Sequence, residues 1–172
     1  MIPQIKKILY ATDLSVNSAY LFRHAINSAK KNDAGIIILH VLEPISETTK
    51  MLLDSLLDKS ELKRMHEEKI SSVKDRIRDQ LEAFCQKELK DDPQSADRVE
   101  AIELCEGFPA EEILRKADEF NCDTIVMGTH GKGLMSYTFL GSTSKKVLRR
   151  TRKPVLIIPM PKKEIDTSLD EL

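Results

Sequence analysis

Tryptophan is absent, and aromatic residues make up only 5% of the 172 residues. Proteins that read single-stranded nucleic acid stack bases on aromatic platforms, so this scarcity weighs against that class. An excess of charge is also missing: 27 Lys and Arg stand against 28 Asp and Glu, for a net charge of −1. No global field therefore draws the chain to nucleic acid or to an anionic membrane. No apolar run approaches the roughly 20 residues that cross a bilayer. Met1-Ile2-Pro3-Gln4 does not open like a signal peptide. The three cysteines, Cys85, Cys105 and Cys122, are odd in number and widely spaced. They fit neither a disulfide framework nor a CxxC metal site, and reduced, semi-buried thiols in a cytoplasmic protein are the expectation.

Glycine is scarce too, and this makes its distribution informative. Four of the six glycines, Gly128, Gly131, Gly133 and Gly141, fall within fourteen residues, and Ser142-Thr143-Ser144 follows at once. Glycine clusters where a backbone turns sharply or approaches something bulky. The cluster follows a strand-like run, Asp123–Met127, and leads into an amphipathic segment beginning near Ser142. A strand, a glycine loop and a hydroxyl-rich helix start make a phosphate cradle, because free N–H groups and the positive helix end favour an anion. The plain alternative is a tight connection that lets the strand turn away.

What is present elsewhere describes an ordinary globular protein, 41% hydrophobic and 32% charged. The expected organisation is one domain over 1–160, with a long inserted segment at about 43–60, and a flexible polar tail over 161–172. Lys7–Thr12 reads as a buried strand ending at Asp13, followed by a helix with Ser15 or Ser18 as its N-cap. Ile36–Val41 is a near-continuous β-branched run that suits a parallel strand covered on both faces. Ile70, Val73, Ile77, Leu81 and Phe84 form one stripe of a long helix between about Ser60 and Leu89. Val99–Cys105 is a third strand, and Pro109 opens the next helix. Pro154–Pro159 is a last strand whose flanking prolines suit an edge. Strands alternating with helices imply right-handed crossovers and a mostly parallel α/β sheet.

Taken together, Ile8–Asp13, His40-Val41, Gly107–Leu114, the Gly128, Gly131, Gly141, Ser142 spacing, Val147–Arg150 and Pro154–Pro159 resemble the universal stress protein family. The resemblance extends nearly end to end, outside about 43–59 and the tail. It implies an ATP-binding branch with a five-stranded parallel sheet in the order 3-2-1-4-5, helices on both faces, Rossmann-like and of the adenine nucleotide alpha hydrolase-like type. It places Asp13 near the ribose or the metal-bound phosphates and makes it a candidate toward Mg²⁺ or Mn²⁺ held through those phosphates. Thr12 and Val41 then serve the adenine side, Met127 and Gly128 the ribose, and Gly131, Gly141, Ser142 and Ser144 the phosphates. His130 departs from the family pattern at its position. The resemblance also implies a homodimer formed by antiparallel pairing of Val155–Ile158.

Several residues keep two readings at this stage. Asp13 can bind a ligand or cap the helix after it, and Ser142 and Thr143 can cap a helix while also meeting phosphate. His130 can place partial positive charge near phosphate or stand in solvent. His24, His40 and His66 lack metal-ligand spacing and read as structural or exposed. Six basic residues in Lys145–Lys153 invite a nucleic-acid reading, but cations near a helix C-terminus also complement its dipole. No Walker A pattern is present. The leading expectation is a cytoplasmic, nucleotide-dependent stress-response protein that binds ATP, with no catalytic residue assigned. The alternatives are a slow ATPase or phosphotransferase, for which His130 and Asp13 are the candidates, and a dimeric partner-binding scaffold without nucleotide.

Overall fold

The computed structural model describes residues 2–56, 59–129 and 140–161. Five strands form one parallel sheet in the order β3-β2-β1-β4-β5. They are β1 (Lys7–Thr12), β2 (Gly35–Leu42), β3 (Val99–Glu106), β4 (Thr124–Gly128) and β5 (Val155–Ile158). The helices are α1 (Ser18–Asn32), α2 (Glu47–Leu56), α3 (Lys59–Glu88), the short α4 (Pro93–Ala96), α5 (Pro109–Glu119) and α6 (Ser142–Arg150). The order expected from the sequence is the one observed, and β5 with its flanking prolines lies at an edge.

Alternation along the strands makes two cores. Ile8, Tyr10, Ile36 and Ile38 face α1 and α3, where they meet Phe22, Leu81 and Phe84. Tyr10, Phe22 and Phe84 form a tilted aromatic row with centroids 5.8 and 5.2 Å apart. Leu9, Ile37, Leu39 and Met127 point the other way, onto Ala110, Ile113 and Ala117 of α5 and Val147 of α6. This is why the β2 sequence is apolar almost without interruption: both of its faces are covered. Burying a side chain such as Leu or Ile contributes about 1.5–3 kcal/mol, so these two layers dominate the stabilisation.

In α3 the expected stripe appears, with Ile77, Leu81 and Phe84 buried and Val73 packed against them. At 1.5 Å per residue this 30-residue helix is about 45 Å long, more than the roughly 27 Å of an eight-residue strand. The segment expected as an insertion carries α2. One local expectation is corrected. The N-cap of α1 is Asn17, without a side-chain capping bond, rather than Ser15 or Ser18. Ser18 is drawn into the first helical position because its hydroxyl lies 3.1 Å from that of buried Thr12 and its carbonyl accepts the Tyr10 hydroxyl at 2.9 Å. All three cysteines are buried and free. Burial pushes the Cys85 thiol up to about 12 and those of Cys105 and Cys122 up to about 11.

Candidate functional site

In this strand order, β1 and β4 are neighbours whose following connections leave to opposite sides of the sheet. Their carboxyl ends therefore border a crevice. At the end of β1 the chain makes a tight polar turn. Leu14 adopts a left-handed φ of 58°. Its N–H donates to the Thr12 hydroxyl at 3.2 Å, and the Ser15 N–H donates to the Asp13 carboxylate at 3.1 Å. These bonds fix the Asp13 side chain at the strand end. Asp13 does not cap α1, whose cap is Asn17.

The end of β4 is bound to the start of α6 by two hydrogen bonds and to β5 by a third. Buried Ser144 donates its hydroxyl to the Gly128 carbonyl at 2.9 Å. The Gly141 N–H donates to the Thr129 carbonyl at 2.7 Å, and the Thr129 N–H donates to Ile158 of β5 at 3.0 Å. Gly141 is the N-cap of α6 and makes no side-chain capping bond, since it has no side chain to make one. A helix leaves the N–H groups of its first turn without intrahelical acceptors, and its N-terminus carries partial positive charge. The Ser144 bond holds that end against β4.

Between these two strand ends opens a cleft of about 420 Å³. Thr12 and Asp13 line it from β1, Val41 from β2, Met127 and Gly128 from β4, and Gly141, Ser142 and Thr143 from the start of α6. Ser144 is not in the wall. It is buried at 3% exposure behind the wall, and its hydroxyl is committed to Gly128. His130 and Gly131 lie outside the described residues.

The wall also contains residues that sequence reasoning left out. Ala11, Leu39 and Ile113 add apolar surface, Pro109 comes from the start of α5, and His40 and Glu43 come from the end of β2. His40 pairs in register with Thr12, and its Nδ1 donates to the Thr12 carbonyl at 2.9 Å. A carbonyl can only accept, so the proton on that nitrogen is fixed by the contact. A signal for His40 was present in its position: it stands at the carboxyl end of a central strand, beside Val41.

Chemically the cleft combines apolar walls (Ala11, Val41, Ile113, Met127) with hydroxyl donors and one turn-held carboxylate. Its volume lies within the roughly 300–1,000 Å³ of small-molecule sites. Among the described residues no group of three or more His, Cys, Asp or Glu is gathered as a metal set. Among them, too, no helix is long and apolar enough to cross a membrane.

With that geometry in hand, the relatives are informative. Universal stress protein MJ0531 of Methanocaldococcus jannaschii is 32% identical over 165 residues, 92% of this chain and 85% of its own length. Universal stress protein MJ0577 of the same organism is 29% identical over 155 residues, 89% of this chain and 94% of its own. Two solved universal stress proteins share the fold. One, in complex with cAMP, has a TM-score of 0.52 at 20% identity and covers 92% of this chain and all of its own. The other, from Archaeoglobus fulgidus in complex with dAMP, has a TM-score of 0.50 at 18% identity and covers 92% of this chain and 99% of its own. The model of the universal stress protein family matches residues 4–159, and the chain belongs to that family.

Proposed function

We propose that the cleft binds an adenine nucleotide, ATP foremost, and that the chain acts in the cytoplasm as a stress-response protein whose signal is its nucleotide occupancy. The observation that carries this reading is the convergence of Asp13, Val41, Gly128, Gly141 and Ser142 on one crevice between the ends of β1 and β4. Family structures in complex with cAMP and dAMP support the adenine part. ATP specifically rests on the glycine and hydroxyl pattern.

The donor set fits such a ligand. The first-turn amides of α6, with the Ser142 and Thr143 hydroxyls, are suited to phosphate oxygens. The apolar wall formed by Val41, Ile113 and Met127 is suited to the base. Asp13, held by the Ser15 amide, is placed to meet the ribose or a Mg²⁺ or Mn²⁺ ion carried by the phosphates. Phosphoryl transfer also requires a group that positions the attacking nucleophile. Asp13 is the turn-held acid at the strand ends, and its carboxylate already accepts the Ser15 amide. The sequence holds no Walker A lysine to serve the transferring phosphoryl, and in this reading turnover is slow or absent. The half-exposed edge strand β5, with Leu156 41% exposed, is the surface through which two copies pair.

Titration calorimetry with Mg-ATP tests the reading. One site per chain with micromolar affinity, about −8 kcal/mol, is expected. No heat and no competition with a fluorescent ATP analogue at high protein concentration would overturn it.

A further inference from the structure

Arg149 and Arg150 in the last turn of helix α6 suit its dipole, but the charges nearer its start do not. Cations are unfavourable near a helix N-terminus and acids favourable, yet the first turn holds no acid, and Lys145 and Lys146 follow directly on Ser142-Thr143-Ser144. Both lysines are exposed, and among the described residues neither makes an ion pair or a side-chain hydrogen bond. Two of the four cations that follow are engaged: Arg150 pairs with Glu111 of α5 at 3.5 Å, and Lys153 with Asp118 at 3.2 Å.

Helical periodicity sets where these charges stand. Ser144 and Val147 are the buried positions of α6, so Ser142, Lys145, Lys146 and Arg149 share its outward strip. Lys145 and Lys146 lie three and four residues beyond Ser142, which makes their β-carbons its neighbours at about 5–6 Å. Helical side chains lean toward the N-terminus, and a lysine carries its charge on a flexible four-carbon stem. Neither lysine is in the cleft wall, but a four-carbon stem at either position can carry its ammonium toward the end that Gly141, Ser142 and Thr143 line.

We infer that Lys145 and Lys146 are specificity-determining residues that make the site prefer adenine nucleotides with long phosphate chains, ATP over AMP. The inference rests on the nucleotide reading of the cleft. A monophosphate at the α6 N-terminus is served by backbone amides. Further phosphates add negative charge at the mouth, where two otherwise unpaired cations stand. The charge that costs α6 stability is offset when such an anion binds.

The test measures ATP and AMP affinity for the wild type, the Lys145→Ala/Lys146→Ala variant and the Lys145→Glu/Lys146→Glu variant. The wild type should prefer ATP. The double alanine variant should weaken ATP about fivefold to tenfold while leaving AMP nearly unchanged. The double glutamate variant should weaken ATP further and yet raise the thermal midpoint, because acids suit that helix end. The ATP preference of the wild type should also shrink as salt rises from about 0.1 to 1 M. Equal loss for ATP and AMP, or no loss for either, with a native circular dichroism spectrum, would overturn the inference while leaving nucleotide binding intact. Failure of the wild type to bind either ligand would overturn the nucleotide reading and this inference with it.

Discussion

The two ends of the sheet are built differently, although both are places where strands stop. At the amino end, polar groups are paired with one another. The Asp123 carboxylate accepts the Lys6 and Lys7 amides at 2.7 and 2.9 Å, Lys7 pairs with Glu100 at 2.9 Å, and Lys153 donates to the Cys122 carbonyl at 2.7 Å. At the carboxyl end, the Asp13 carboxylate accepts the Ser15 amide in a tight turn, Leu14 takes a left-handed φ, and a cleft opens between the strand ends. Asp123 and Asp13 thus show what position does to the same side chain. One bridges β1 to β4 and is structural; the other stands in the wall of a crevice. Parallel sheets gather their loops and helix N-termini at the carboxyl end, and ligand sites follow.

Substitutions sharpen this contrast. The largest effect is expected at the open end. Gly141→Val places a branched side chain at a buried, cleft-lining position, and ATP affinity should fall at least about a hundredfold, roughly 2.7 kcal/mol. Calorimetry reads this, and unchanged affinity would detach Gly141 from the site. At the closed end, Asp123→Ala leaves two backbone amides without their charged acceptor, and stability should fall by about 2 kcal/mol in urea titrations. Its ATP affinity should stay at the wild-type value; a collapse in a native fold would blur the division between the ends.

Ser144→Ala tests a residue that belongs to both descriptions. The loss of its bond to the Gly128 carbonyl should cost about 1 kcal/mol of stability. It should also loosen the start of α6, so that ATP binding weakens severalfold. A pure stability loss would assign Ser144 to the scaffold alone. The thiols have no effect at neutral pH and act only under alkaline conditions. Their folded values are raised to about 11 or 12, above the ordinary 9.0, so the unfolded chain loses these protons first. Stability should therefore be unaffected by them below about pH 9 and decline as pH rises toward 11. Cys85→Ala should flatten that decline.

Much of this was legible in the sequence because the signals were local. The β-branched run Ile36–Val41 announced a strand covered twice, and both cores bear this out. The stripe Ile77, Leu81, Phe84 announced the buried face of α3. The glycine and hydroxyl cluster announced a turn into a helix, and Gly128, Gly141, Ser142 and Thr143 do meet at the cleft. Contacts between distant segments were harder to read. His40 stood as one of several scattered histidines until strand register set it opposite Thr12. Ser144 resembled its neighbours Ser142 and Thr143, but helical rotation turns it inward to Gly128. The capping role offered to Ser15 or Ser18 failed for the same reason, since Ser18 answers to Thr12 and Tyr10 across the fold.

Hydrogen exchange read by mass spectrometry, with and without Mg-ATP, tests the division between the ends most directly. The account predicts slowed exchange in segments 11–15, 40–43, 127–129 and 141–146, and no change in segments 5–8, 97–100 and 121–125. Unchanged exchange throughout, or protection confined to the amino end of the sheet, would contradict it.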